Sequence, residues 1–260
     1  MDAMQNAKVA FVLAALAACV TPMLPRDAAA APPPPGATHL PGDQRTPDKR
    51  TPEQRNTDFV RHVFHDLLGR APDAQELGVY QHALTTGTSR EAIALLLLGS
   101  NELHDRFVKQ TAAALLPGVT IASGYLGTLL ARLNAGDTME RSVIVPLVES
   151  NHYPPKMRAG DASFVTAVYR DLLGRVPTAN ELSSDVASLQ SGGGRRPIAM
   201  RITASPEYRE KLLASFFTTF LGRAIDAASQ QSFLAMFANG ARREQVMAAI
   251  LGSAEYYARR

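Results

Sequence analysis

The stretch Phe59-Val-Arg-His-Val-Phe-His-Asp-Leu-Leu-Gly-Arg-Ala-Pro-Asp73 decides the fold, because it returns. It comes back 105 residues later as Phe164-Val-Thr-Ala-Val-Tyr-Arg-Asp-Leu-Leu-Gly-Arg-Val-Pro-Thr178. A shorter version is Phe216-Phe-Thr-Thr-Phe-Leu-Gly-Arg-Ala-Ile-Asp226, and a worn one runs from Phe107-Val108 to Leu115-Leu116-Pro117-Gly118. The glycines at 69, 118, 174 and 222 are spaced 49, 56 and 48 apart. A second marker agrees: Ser100-Asn-Glu102, Ser150-Asn-His152, Ser205-Pro-Glu207 and Ser253-Ala-Glu255 are spaced 50, 55 and 48 apart. Two markers with one period predict four copies of a unit of about 50 residues, the second degenerate.

Each copy reads as helical. Phe59, Val60, Val63, Phe64, Leu67 and Leu68 recur at i, i+4, i+5 and i+8, the stripe of an amphipathic helix. Gly69 suits a left-handed position after the helix end, Arg70 meets free carbonyls there, and Pro72 prevents continuation. The structural signature is therefore Gly69, Arg70, Pro72, with Gly174, Arg175, Pro177 and Gly222, Arg223 in the later copies. Asp73-Ala-Gln-Glu76 and Thr178-Ala-Asn-Glu181 are capping boxes opening a second helix, and Asp226 stands at the same place. Thr88-Ser-Arg-Glu91 and Asp137-Thr-Met-Glu140 open short third helices, expected over Ala92–Leu98, Ser142–Val148 and Gln245–Leu251. The β-branched Val143-Ile-Val145 leaves one helix assignment open. One copy buries too little surface to fold alone, so copies must share cores. The expected fold is all-α, with copies one and two as a module over 58–158 and copies three and four as a module over 159–260. The boundary is placed in the Pro- and Gly-containing insert Asn151–Asp161.

The N-terminus reads as an address. Lys8 precedes the apolar run Val9–Val20, which falls short of the ~18–20 residues of a membrane span. Ala28-Ala29-Ala30 fits a signal-peptide cleavage site, making 1–30 a signal peptide. Leu16-Ala17-Ala18-Cys19 fits a lipobox instead, which makes Cys19, the only cysteine, a candidate lipidation site. Both readings stay open. Residues 31–57, starting with Pro32-Pro33-Pro34-Pro35, read as a disordered, Pro-rich linker without helix.

A hydrophobic content of 46% and a charged content of 20% exclude wholesale disorder. One cysteine excludes a disulfide framework and a cysteine-cluster zinc site. A net charge of +3 gives no basic tract for nucleic acid.

The pattern Phe-Val, then Asp-Leu-Leu-Gly-Arg-x-Pro-Asp, then Ser-x-Glu-Tyr, resembles the bacterial repeats called domain of unknown function 4214, and is distantly similar to phycobilisome linker domains. The resemblance covers about Asp58–Arg260. It implies a helical, often secreted or cell-surface protein, and by analogy an adaptor. The sequence departs from the family pattern at Gln81, where a Trp usually follows the tyrosine, and after Gly118, where the Arg is missing.

Several residues invite chemistry. Arg70, Arg175 and Arg223 can clamp an anion, but their period matches structural pairs with Glu102, Glu207 or Glu255, or with Asp66 and Asp171 one turn earlier. His62 and His65 lie three apart on one helix and could hold a metal, yet the later copies replace them and no full ligand set is visible. Gly192-Gly-Gly194 lacks the rest of a phosphate loop and reads as a turn. Arg195, Arg196, Arg242 and Arg243 fall at equivalent turns and are candidate partner-binding residues. The repeated carboxylates sit at caps, whereas a catalytic pair should appear once and break the repeat. The expectation is an exported, envelope-associated interaction or scaffolding module without cofactor or catalytic residues. Its partner would be an envelope protein or glycan, not nucleic acid, and the mature chain would have no membrane span and a candidate lipid anchor. The alternatives are an envelope enzyme acting on glycans through a carboxylate pair, and a metal-binding module on copy one.

Overall fold

The computed structural model of the chain describes residues 49–153 and 160–259, and Pro52 is the first helical residue among them. Helix α1 spans Pro52–Leu68. Its start corrects the expectation of a non-helical linker through Thr57. Thr51 is the N-cap, its side chain accepting from the Gln54 N–H while the Gln54 side chain accepts from the Thr51 N–H. Pro52 occupies the first turn, where a missing N–H costs nothing. Residues 1–30, expected to be a signal peptide, the candidate lipidation site Cys19, linker residues 31–48 and insert residues 154–159 lie outside the described residues.

The chain continues through α2 (Ala74–Thr85), α3 (Arg90–Leu98), α4 (Asn101–Leu115) and α5 (Ser123–Asn134). A π-helical turn, Glu140–Ile144, leads into α6 (Val145–Glu149). Then come α7 (Asp161–Leu173), α8 (Ala179–Gln190), α9 (Arg195–Ala204) and α10 (Pro206–Phe216). A second π-helical turn, Phe217–Leu221, precedes α11 (Ala227–Ala238), α12 (Arg243–Gly252) and α13 (Ala254–Tyr257). Among the described residues there is no strand. The β-branched Val143 and Val145 are helical because both are fully buried in an apolar cluster, where packing outweighs propensity. No helix among the described residues is long and apolar enough to cross a membrane.

The helix ends follow the local code. Gly69, Gly174 and Gly222 close their helices in the left-handed region, at φ 68°, 72° and 67°. Capping boxes open α2 at Asp73 and α8 at Thr178, and Asp226 caps α11 through the Ser229 N–H. The worn stretch shows what loss of the code does. Helix α4 ends at a Leu116 cap, with the left-handed Gly118 two residues beyond it, and the Ala122 N-cap of α5 offers no side-chain bond.

Two compact units form, and they group the residues differently from the expected 58–158 and 159–260. Of the described residues, one unit takes 49–98 with 216–259, and the other takes those between 99 and 215. In the first, α1 packs on α2, α3 and α13, while α3 pairs with α12. That last pair is tight, because a Cβ on Gly252 would sit 2.9 Å from the backbone nitrogen of Glu91. In the second, α4 packs on α5, α7 on α8, and α9 on both α6 and α7. Its core gathers Leu129, Val143, Val145 and Leu147 with Phe164, Val165 and Val168. The physical reason is that chain-order neighbours carry no privileged apolar face. The third helix of the first stretch finds its match in the last, and the middle stretches pair with each other.

Candidate functional site

Three polar arrangements connect the helices. The first is an arginine clamp set just past the left-handed glycine. In the 99–215 unit, Arg175 donates from Nη1 and Nη2 to the two oxygens of Glu181, each at 2.8 Å. Its Nε and Nη2 donate to Glu207 at 2.5 and 2.8 Å, and its guanidinium lies 5.3 Å from the centre of the Tyr169 ring. One side chain thus ties α7 to the start of α8 and the start of α10. The same hydrogen bonds hold the Glu181 carboxyl down at about 2, push Glu207 below the usual carboxylate range, and raise Arg175.

In the other unit, Arg223 donates to Glu255 at 2.5 and 2.8 Å and to Asp226 at 3.2 Å, with the Phe217 ring 5.0 Å away. Asp226 is held at about 2, chiefly by the Ser229 N–H and hydroxyl, with Arg223 adding to them. Arg70 donates to both oxygens of Glu76 at 2.7 and 2.8 Å over the Phe64 ring. Glu76 and Glu181 each serve a capping box and a clamp at once.

The second arrangement takes up Asp66 and Asp171, one of the two sets of acids left open as partners of the arginines. Each aspartate instead accepts from a buried tyrosine: Tyr256 to Asp66 at 2.9 Å, and Tyr153 to Asp171 at 2.7 Å. Burial and the facing carboxylate push both hydroxyls well above the ordinary tyrosine value. The two tyrosine rings meet Phe59 and Phe164 edge-on, at 6.1 Å and 88° and at 6.0 Å and 87°.

The third arrangement occurs once. Arg201 donates from Nη2 to both oxygens of Asp185, each at 2.6 Å, and to the Tyr169 hydroxyl at 3.3 Å, while that hydroxyl donates to Asp185 at 3.2 Å. The Asp185 side chain is 9% exposed and that of Arg201 54%. Burial raises the Tyr169 hydroxyl. Shifting by the 105 residues that relate the two signature stretches, the same places hold Phe64, Tyr80 and Leu96. There the rings of Phe64 and Tyr80 meet edge-on at 5.4 Å. An aromatic contact has become a charge pair with one end in solvent. The Nε–H and Nη1–H of Arg201 have no partner among the described residues, so the cluster can offer donors to an acceptor oxygen. It holds no second free carboxylate. Sequence reading passed over it, although a column-by-column comparison of the two stretches exposes it as the place where the pattern breaks.

The expected partner-binding arginines divide between the units. Arg195 is not part of an exposed rim. It donates from Nη1 to the Ser150 and Tyr153 carbonyls at 3.1 and 2.8 Å and stacks 4.6 Å over Phe164, which fastens the start of α9 to the core. Arg196 pairs with Glu149 at 3.1 Å at the surface. Arg242 lies 3.5 Å from Glu244, and Arg243 lies 5.7 Å over Phe216. Gly192–Gly194 forms the turn before α9, with the Gly193 N–H bonded to the Ser188 carbonyl. Exposed His65 faces Asp66 at 3.2 Å, and burial lowers His62. Among the described residues no group of three or more His, Cys, Asp or Glu side chains comes together as a metal site.

Comparison with curated proteins and with solved structures returns no match. The helices α1 to α3 and the start of α4, with Gly69, Arg70, Glu76 and the Ser100 cap, fall in the one stretch that a family model recognises. Residues 48–107 match the family described as Domain of unknown function (DUF4214).

Proposed function

We propose that this chain is an exported, non-enzymatic interaction module of a bacterial cell envelope, built from four copies of a helical unit, with the second copy degenerate. It presents helix ends and helix faces to a protein or glycan partner. The observation that carries this reading is the commitment of the recurring acids. Glu76, Glu181, Asp226, Glu207 and Glu255 are all taken up by caps and arginine clamps. The cluster that breaks the repeat, Tyr169–Asp185–Arg201, is a paired charge offering N–H donors. A glycan-cleaving centre would need two carboxylates facing one cleft.

Crosslinking capture from the native envelope with the wild-type chain and with Arg201→Leu tests the proposal. The expected result is one stoichiometric partner, weakened by Arg201→Leu at a temperature where circular dichroism shows the variant fully folded. Absence of any protein or glycan partner, together with turnover in a glycan hydrolase screen, would overturn it.

A further inference from the structure

The tyrosine–aspartate contact is made twice, by two different routes through the chain. Tyr153 and Asp171 are 18 residues apart, so there the tyrosine precedes the helix it serves. Tyr256 and Asp66 are 190 residues apart. The chemistry at the two places is the same: a hydroxyl on an aspartate, and an edge-on phenylalanine at 6.0–6.1 Å. In each case the tyrosine stands three residues after the marker serine. The last marker therefore treats the first copy as though it came next in the chain.

Further contacts complete this closure. Arg259 donates to Asp66 at 2.6 Å and to the Phe220 carbonyl at 2.6 Å. Tyr257 donates to Asn56 at 2.8 Å, and Arg90 lies 4.3 Å over its ring while donating to the Gly252 carbonyl at 3.0 Å. Arg50 donates to the Arg259 carbonyl at 3.1 Å.

The unit built from residues 49–98 and 216–259 is thus assembled from two stretches that the chain joins only by way of 99–215. Residues 49–98 form one such stretch, and among the described residues it joins the other unit at a single point. Helix α3 ends at Leu98, Gly99 forms a turn, and Ser100 is extended, at φ −75° and ψ 144°, before capping α4. A stretch that joins the rest of the described chain at one point, with its contacts made to a distant part of that chain, can make those contacts to another chain instead.

We propose that residues 49–98 exchange between chains about Gly99–Ser100, so that α1 and α3 of one molecule dock on α12 and α13 of a second copy, head to tail. This deepens the interaction-module reading by naming one partner as the chain itself. Every contact broken in the closed monomer is regained in the exchanged form, so the balance depends on concentration. Intramolecular closure acts as an effective concentration on the order of millimolar. Exchange therefore shows after refolding at high protein concentration and in the crowded setting of a scaffold.

The test uses full-length chains carrying Cys19→Ser. Asn56→Cys is placed in one chain and Tyr257→Cys in another, since the Tyr257 hydroxyl reaches Asn56 in the closed form; the shorter cysteine leaves the two thiols too far apart for a disulfide, so a bis-maleimide bridges them. The chains are unfolded together, refolded at about 0.5 mM, below but near the effective concentration, and treated with the bis-maleimide. The expected product is a covalent dimer of twice the chain mass, formed only when both variants are present and absent when each refolds alone. A control carries both cysteines in one chain and is refolded dilute. An internal link in the control with no dimer in the mixture would overturn exchange while leaving the closed unit and a foreign partner intact. No link in either would overturn the closure itself, and the proposal with it.

Discussion

The hydroxyl of Tyr256, three residues from the end of the described chain, donates to Asp66 on its first helix at 2.9 Å. Asp66 is nearly buried and also accepts from Arg259. Tyr256→Phe keeps the ring against Phe59 and removes only the donor. The expected cost is about 1–2 kcal/mol, measured by urea unfolding. Tyr153→Phe should cost a similar amount, through the other unit.

The clamp at Arg175 depends on geometry as well as charge. Arg175→Lys keeps the charge but cannot meet Glu181 and Glu207 with paired donors. With these groups about one-third exposed, solvent screening limits the loss to about 1 kcal/mol. Arg175→Ala should lose at least as much, and paired unfolding curves for the two variants separate charge from shape.

Acid should weaken both units. Glu181 sits at about 2 in the folded chain against an ordinary 4.5, and Asp226 at about 2 against 3.8. A depressed carboxyl contributes its full stability above the unfolded value and loses it as pH falls through the folded one. The urea midpoint should therefore drop between about pH 4.5 and pH 2, and Glu181→Gln should flatten that drop while lowering the midpoint at pH 7.

Gly252 and Gly127 are expected to respond oppositely to alanine. A Cβ at Gly252 meets the Glu91 backbone at 2.9–3.0 Å, and backbone cannot step aside cheaply. Gly252→Ala should cost about 1–3 kcal/mol. A Cβ at Gly127, within α5, meets nothing within 4 Å, so Gly127→Ala should gain about 0.5–1 kcal/mol. Thermal unfolding of both decides it.

The Tyr169–Asp185–Arg201 cluster allows a repair experiment. Arg201→Leu alone strands a buried carboxylate and should cost about 2–3 kcal/mol, less than a fully buried pair because Arg201 is half exposed. The triple variant Tyr169→Phe/Asp185→Tyr/Arg201→Leu installs the residues found 105 positions earlier. It is expected to be at least as stable as wild type, since an apolar replacement commonly matches a buried ion pair. A triple variant less stable than Arg201→Leu alone would refute the positional equivalence.

Much of the local structure was legible in advance. The caps at Asp73, Thr178 and Asp226 are readable because each depends on residue type and short spacing, and Glu207 and Glu255 were among the partners open to Arg175 and Arg223, 32 residues away, because both markers recur with one period. The start of α1 was equally readable: Thr51-Pro-Glu-Gln54 is a capping box, but the prolines before it drew the reading toward linker. The Asp66 and Asp171 partners were not readable by spacing along one helix, because a tyrosine from a separate element outcompetes an exposed i,i+4 arginine once it is buried beside the carboxylate.

By itself, then, the sequence determined where most helices start and stop and which faces are apolar. These are matters of hydrogen-bond valence and periodicity within a few turns. Tertiary structure alone decided that the first stretch closes on the last and the two middle ones on each other. Similar apolar stripes leave several pairings open. The choice falls to close fits such as Gly252 against Glu91, and to buried contacts such as Tyr256 on Asp66, that form only when distant segments meet.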